Sequence, residues 1–121
     1  MIIALWIVNI VLALLFLAAG GMKTLAPTAR LRERGMTWTD DFSTRAVTLI
    51  GIAEVIGAVG LILPLATGIL PLLTPIAAVC LAVLMGGAIV VHTRRKENPA
   101  PSVVLLALSI VSAVLGFLVV R

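Results

Sequence analysis

Four long apolar runs, at residues 2–22, 46–65, 72–91 and 102–120, limit what this chain is able to become. Each has the roughly 17 to 25 residues that carry an α-helix across a hydrocarbon layer about 30 Å thick. In lipid, an open coil or lone strand would leave backbone amides without partners, so every run is predicted to be helical. The fold class is therefore all-α. It is a four-transmembrane-helix bundle with a short outer hairpin and a longer first loop, occupying residues 1–121 as a single domain. Composition agrees, with 62% hydrophobic and 12% charged residues and a mean hydropathy of +1.27, outside the range of soluble domains. The first run has no basic residue before it and no A-x-A site after it, so it reads as a retained span rather than a secretory signal.

Orientation follows from the basic residues. The first connection holds Lys23, Arg30, Arg32, Arg34 and Arg45, and the third holds Arg94, Arg95 and Lys96, whereas the second connection has none. The positive-inside rule then makes the first and third loops cytoplasmic and puts both termini outside, as expected for a bacterial cytoplasmic membrane. The formal charge of +4 reflects this topology and an attraction to anionic headgroups of the lipid bilayer, not a nucleic-acid surface.

The connections carry their own signals. In the outer hairpin, Thr67 and Gly68 predict a tight turn, and Thr74 followed by Pro75 predicts an N-cap and first residue for the third helix. The first loop predicts a short surface helix over residues 27–34 ended by Gly35. A second helix start is predicted near Thr39, with Asp40 and Asp41 in its positive first turn and Trp38 at headgroup level. A solvated loop that only sets topology is the competing reading of these charges.

Within the spans, polar residues are few. Glu54 stands in the uncharged stretch "GIAEVIGAVG", roughly three residues, or about 4 Å, from the middle of its run. An unpaired carboxylate there costs at least about 2.5 kcal/mol, so it must be protonated, hydrogen bonded or paired. Gly51, Gly57 and Ala58 share its helical face and leave the backbone bare enough for close helix packing. Asn9 lies at mid-depth in the first run, on a stripe with Phe16, Gly20 and Lys23, and Lys23 is able either to snorkel to the interface or to stand near Glu54 and favour its charged form. His92 ends the third run, and Ser109, Ser112 and Gly116 form a small, polar seam in the fourth. Each of these residues has a structural reading beside the functional one. Glu54 is either a strut between helices or a proton- or ligand-binding acid. His92 is either interfacial or a tuning group, and Asn9 either a helix contact or a pocket residue.

The single cysteine, Cys80, excludes an intramolecular disulfide, a CxxC redox centre and a cysteine-based zinc site, and is read as a packing residue. One histidine, one deep carboxylate and one thiol supply no ligand spacing, so no metal site is expected.

Three segments taken in order carry a family resemblance: "AAGGMKTL" closing the first run, "LIGIAEVIGAVGLILP" in the second and "TPIAAVCLAVLMGGAIVVH" in the third. Together they resemble the DoxX-like family of small four-helix integral membrane proteins, over almost the whole chain. By position, Lys23, Glu54 and His92 match the family's recurrent polar residues. The resemblance implies a membrane subunit associated with thiosulfate:quinone oxidation or redox-stress complexes; without a cysteine pair this chain is not expected to run a thiol relay alone.

The leading expectation is an accessory or scaffold subunit with a small polar intramembrane pocket formed by Glu54, Lys23, His92 and Asn9. That pocket would take a quinone headgroup or other amphiphile, with a membrane or peripheral redox protein, or a second copy of the chain, as partner. One alternative is a purely structural, partner-binding bundle. The other is a small proton-coupled exporter using Glu54, weakened because no aromatic residue stands beside the acid to receive a cation. Autonomous catalysis is not expected, since no nucleophile–base pair or cofactor fingerprint is present.

Overall fold

The computed structural model describes residues 1–25, 33 and 42–120, and four helices account for nearly all of them: α1 Ile2–Leu25, α2 Thr44–Thr67, α3 Leu73–Arg94 and α4 Ala100–Val120. All four are long and apolar enough to cross a membrane, and most of each span lies outside the buried core. That surface carries Ile7, Leu14, Ile56, Val83 and Val114, residues that only a lipid environment would leave uncovered.

Local chemistry sets the boundaries. The Ser43 side chain caps α2 by accepting from the Ala46 amide at 3.1 Å. At the other end Gly68, at φ 71°, adopts the left-handed conformation that glycine enters at little cost, and its amide donates to Pro64 O. Thr67 and Gly68 thus make the predicted turn. The α3 start differs from the expectation: the cap is Leu72 rather than Thr74, and Pro75 lies within the first turn. A proline is tolerated there because first-turn amides have no intrahelical acceptor. The loop helices expected over residues 27–34 and near Thr39 lie outside the described residues.

The helices run antiparallel in a ring, with α1 packed most extensively on α2 and α3 on α4, and with smaller α2–α3 and α1–α4 contacts. Leu12, Phe16, Ala58, Leu61, Ala78, Leu81 and Met85 form the common core. The end of the bundle bearing Lys23, Ser43, Arg94 and Pro99 is called the basic end below, and the end bearing the Gly68 turn the hairpin end. Cys80, read as a packing residue, is exposed on α3; its helical position, one residue before core Leu81, turns it away from the bundle.

Towards the hairpin end, Asn9 joins three helices. Its Nδ2 donates to Leu61 O of α2 at 2.9 Å, and Ser112 of α4 donates to its Oδ1. Pro64, three residues beyond Leu61, supplies no amide hydrogen to the α2 ladder, and the carbonyl that loses this donor is that of Gly60. The Asn9 amide bonds the adjacent carbonyl, Leu61 O, and so ties α1 to α2 directly.

Candidate functional site

The site begins with two glycines. A Cβ on Gly20 would stand 2.6 Å from Gly51 O, and one on Gly51 would stand 2.7 Å from Gly20 O. The backbones of α1 and α2 therefore cross at a distance only glycine allows. Lys23 lies one turn beyond this crossing on α1, and Glu54 one turn beyond it on α2. Because helical side chains tilt towards their own N-termini and the two helices are antiparallel, both side chains lean back to the crossing and converge.

They form an ion pair there, Lys23 Nζ to Glu54 Oε1. Glu54 is 1% exposed and Lys23 9%, so of the two readings open to the lysine the structure takes the one that turns it into the bundle, onto Glu54. Pairing is one of the ways in which a carboxylate at this depth becomes tolerable, and the structure shows it.

A second pair forms where α3 ends. Arg95 caps the helix, Lys96 takes the left-handed conformation at φ 57°, and two amides fold back: Lys96 to Thr93 O at 3.1 Å and Glu97 to His92 O at 2.8 Å. This double bond pattern is a Schellman turn with lysine in the position glycine usually fills. The turn returns Glu97 to the face of His92, so that Oε1 lies 3.2 Å from His92 Nδ1 and 3.3 Å from Arg95 Nε. The contact holds the plane of the imidazole against Glu97.

Both pairs line one cavity of about 790 Å³ at the basic end of the bundle. Ala19 and Lys23 enter from α1, Ile50 and Glu54 from α2, Leu84, Gly87, Ala88 and His92 from α3, and Pro101, Ser102 and Leu105 from α4, with Phe42, Glu97 and Asn98 from the flanking segments. The lining is mainly apolar with a few placed polar groups, the usual make-up of a small-molecule pocket, and the volume lies within the usual range of about 300 to 1,000 Å³.

Of the residues singled out in the sequence, Glu54, Lys23 and His92 are brought together around the cavity, whereas Asn9 does not line it and serves the hairpin half instead. The packing seam divides its work among partners. Gly51 meets α1, Gly57 lies against Leu81, Ala58 is in the core, and Gly116 lies against Pro75. Ser112 bonds Asn9, and Ser109 bonds Leu105 O of its own helix at 2.7 Å. Sequence reasoning missed Ser102, Phe42, Glu97 and Asn98. Ser102 carried a signal, since it stands seven residues before Ser109 on the same face. Glu97 carried none, because a lysine in the left-handed position does not announce a Schellman turn. Among the described residues no three His, Cys, Asp or Glu side chains gather as a metal would require.

The geometry can hold a polar head against Lys23–Glu54 and an apolar body against α3 and α4. No curated protein and no solved structure matches the chain. The DoxX-like family matches it over residues 7–114, from the first turns of α1 to the last turns of α4, and so takes in every helix that builds this cavity. On that match, the chain belongs to the DoxX-like family of integral membrane proteins.

Proposed function

We propose that this DoxX-like protein is an accessory subunit of a membrane redox or stress-response complex, and that its cavity binds an amphiphile, such as a quinone, by its polar head. The observation that carries the reading is the buried Lys23–Glu54 pair in the wall of a mainly apolar cavity. Such a pair offers a carbonyl oxygen a donor and a hydroxyl an acceptor within a few ångströms, while the apolar walls take a ring or chain. The exporter reading is less well supported, because a cationic substrate would have to displace Lys23 from the carboxylate it already neutralises.

Partners and placement follow as part of the same proposal. The membrane is a bacterial cytoplasmic membrane, the basic end faces the cytoplasm with both termini outside, and a redox protein or second copy docks on the bundle. The test is equilibrium binding of a short-chain quinone to the full-length protein in nanodiscs, parent against Glu54→Gln. Binding should weaken about tenfold, the equivalent of one charged hydrogen bond. Equal binding at equal thermal stability would remove the pocket from the reading.

A further inference from the structure

The seam between α2 and α3 changes character along its length. In the hairpin half the helices touch: a Cβ on Gly57 would stand 2.7 Å from the Leu81 side chain, and one on Gly60 would stand 2.9 Å from Ala77 Cβ. Following the same flanks towards the basic end, at 100° per residue, leads to Ala53 and Ile50 on α2 and to Leu84 and Ala88 on α3, with Gly87 about 60° beyond Leu84 towards the outside; Ile50, Leu84, Gly87 and Ala88 all line the cavity. Here Ala53 and Gly87 are both exposed, and a Cβ on Gly87 would meet no atom within 4 Å.

Gly87 is also part of the cavity wall, so on this side the wall is bare backbone and communicates with the outside of the bundle. The two helices thus pass from contact to a gap. The gap lies about 10 Å from the basic end of α3, at 1.5 Å per residue, and therefore faces hydrocarbon rather than water. Its polar groups are compensated, with Lys23 opposite Glu54, and with His92 and Arg95 on Glu97. A cavity that presents donors and acceptors together, rather than one sign of charge, suits an uncharged head.

We propose that the basic half of the α2–α3 seam is a lateral portal. Through it an amphiphile with an uncharged head and a single chain reaches the cavity from the bilayer, its head at Lys23–Glu54 and its chain lying over Gly87. The proposal rests on the pocket reading above and adds the route and the ligand class. Gly87 is then the residue that sets the width of the opening.

The test uses the full-length protein in lipid vesicles with a fatty alcohol carrying a diazirine in mid-chain, cross-linked by light and mapped by mass spectrometry. Adducts should concentrate at Ile50, Ala53 and Leu84. Gly87→Leu should lower them about tenfold in occupancy without lowering the melting temperature, because the new side chain enters open space. If Gly87→Leu does not fold, Ala53→Leu narrows the portal from the opposite wall and should have the same effect.

Adducts spread evenly over lipid-facing positions such as Ile7 and Val114, or left unchanged by seam filling, overturn the portal. Glu54→Gln separates the two readings. Seam adducts that persist undiminished in Glu54→Gln but fall in Gly87→Leu keep the portal and discard the head site. Adducts lost in Glu54→Gln yet indifferent to seam filling keep the head site and discard the portal.

Discussion

The hairpin and basic halves of the bundle use the same kinds of residue to opposite ends. In the hairpin half, glycines bring helices into contact, Gly57 on Leu81, Gly60 on Ala77 and Gly116 on Pro75, and Asn9 ties α1 to α2 and α4. In the basic half, glycines at 20 and 51 draw α1 against α2, but Gly86 and Gly87 face no neighbour at all. Without a hydrophobic driving force between helices in lipid, contact must come from close packing and interhelical hydrogen bonds. The hairpin half has close packing of α3 against α2 and α4, and hydrogen bonds from Asn9 that join α1, α2 and α4. The basic half concentrates them on the α1–α2 crossing, and the cavity lies between that crossing and the α3–α4 pair.

The sharpest way to break this comparison is to unpair the crossing. Lys23→Met should destabilise the protein by about 3 to 5 kcal/mol, because Glu54 is left as a buried charge without its counter-ion. Adding Glu54→Gln should recover more than half of the loss. Denaturant titration in mixed micelles reads both numbers, and a double variant no more stable than the single would show that the pair is not what the site loses.

Next in size, Gly51→Ala should cost about 1 to 3 kcal/mol, since the added methyl meets the Gly20 carbonyl and the Lys23 Cβ, neither of which is free to move aside. Thermal unfolding of Gly51→Ala beside Gly20→Ala checks that the two halves of one crossing respond alike. Asn9→Leu, in the other half, should cost about 1 kcal/mol, at roughly 0.6 kcal/mol for each interhelical hydrogen bond. Quinone binding should stay at the parent level in that variant, because Asn9 does not line the cavity. A loss of binding there would merge the two regions into one site.

The smallest effects should be gains. Gly86→Ala adds a methyl in open space and should stabilise by about 0.5 to 1 kcal/mol through helix propensity, opposite in sign to Gly51→Ala. Lys96→Gly should relieve a left-handed lysine by a similar amount, about 0.5 to 1 kcal/mol, with melting temperature as the readout.

How much of this was legible in the sequence differs from residue to residue. The four spans were, because each helix closes its own backbone hydrogen bonds and the apolar runs are long enough to show it. Glu54 was, because a charge in hydrocarbon is conspicuous by itself. Its partner was half legible: Lys23 was on the right stripe, but snorkelling and pairing are equally open to a lysine near a helix end. Cys80 and the α3 cap were misread, since a thiol among apolar residues fits lipid as well as core, and a Thr-Pro step fits the first turn as well as the cap. Glu97 was illegible, because only the folded turn brings it onto His92.

The sequence by itself determined that this chain spans a membrane four times and that an acid lies deep in the second span. These are local properties, fixed by length, hydropathy and the need of each backbone to pair internally. Tertiary structure alone decided that Lys23 turns inward, that Asn9 bonds Leu61 rather than lining the cavity, and that Gly87 is an exposed part of the cavity wall. Those outcomes depend on how closely segments remote in the chain cross, where a missing Cβ means contact at one glycine and open space at another.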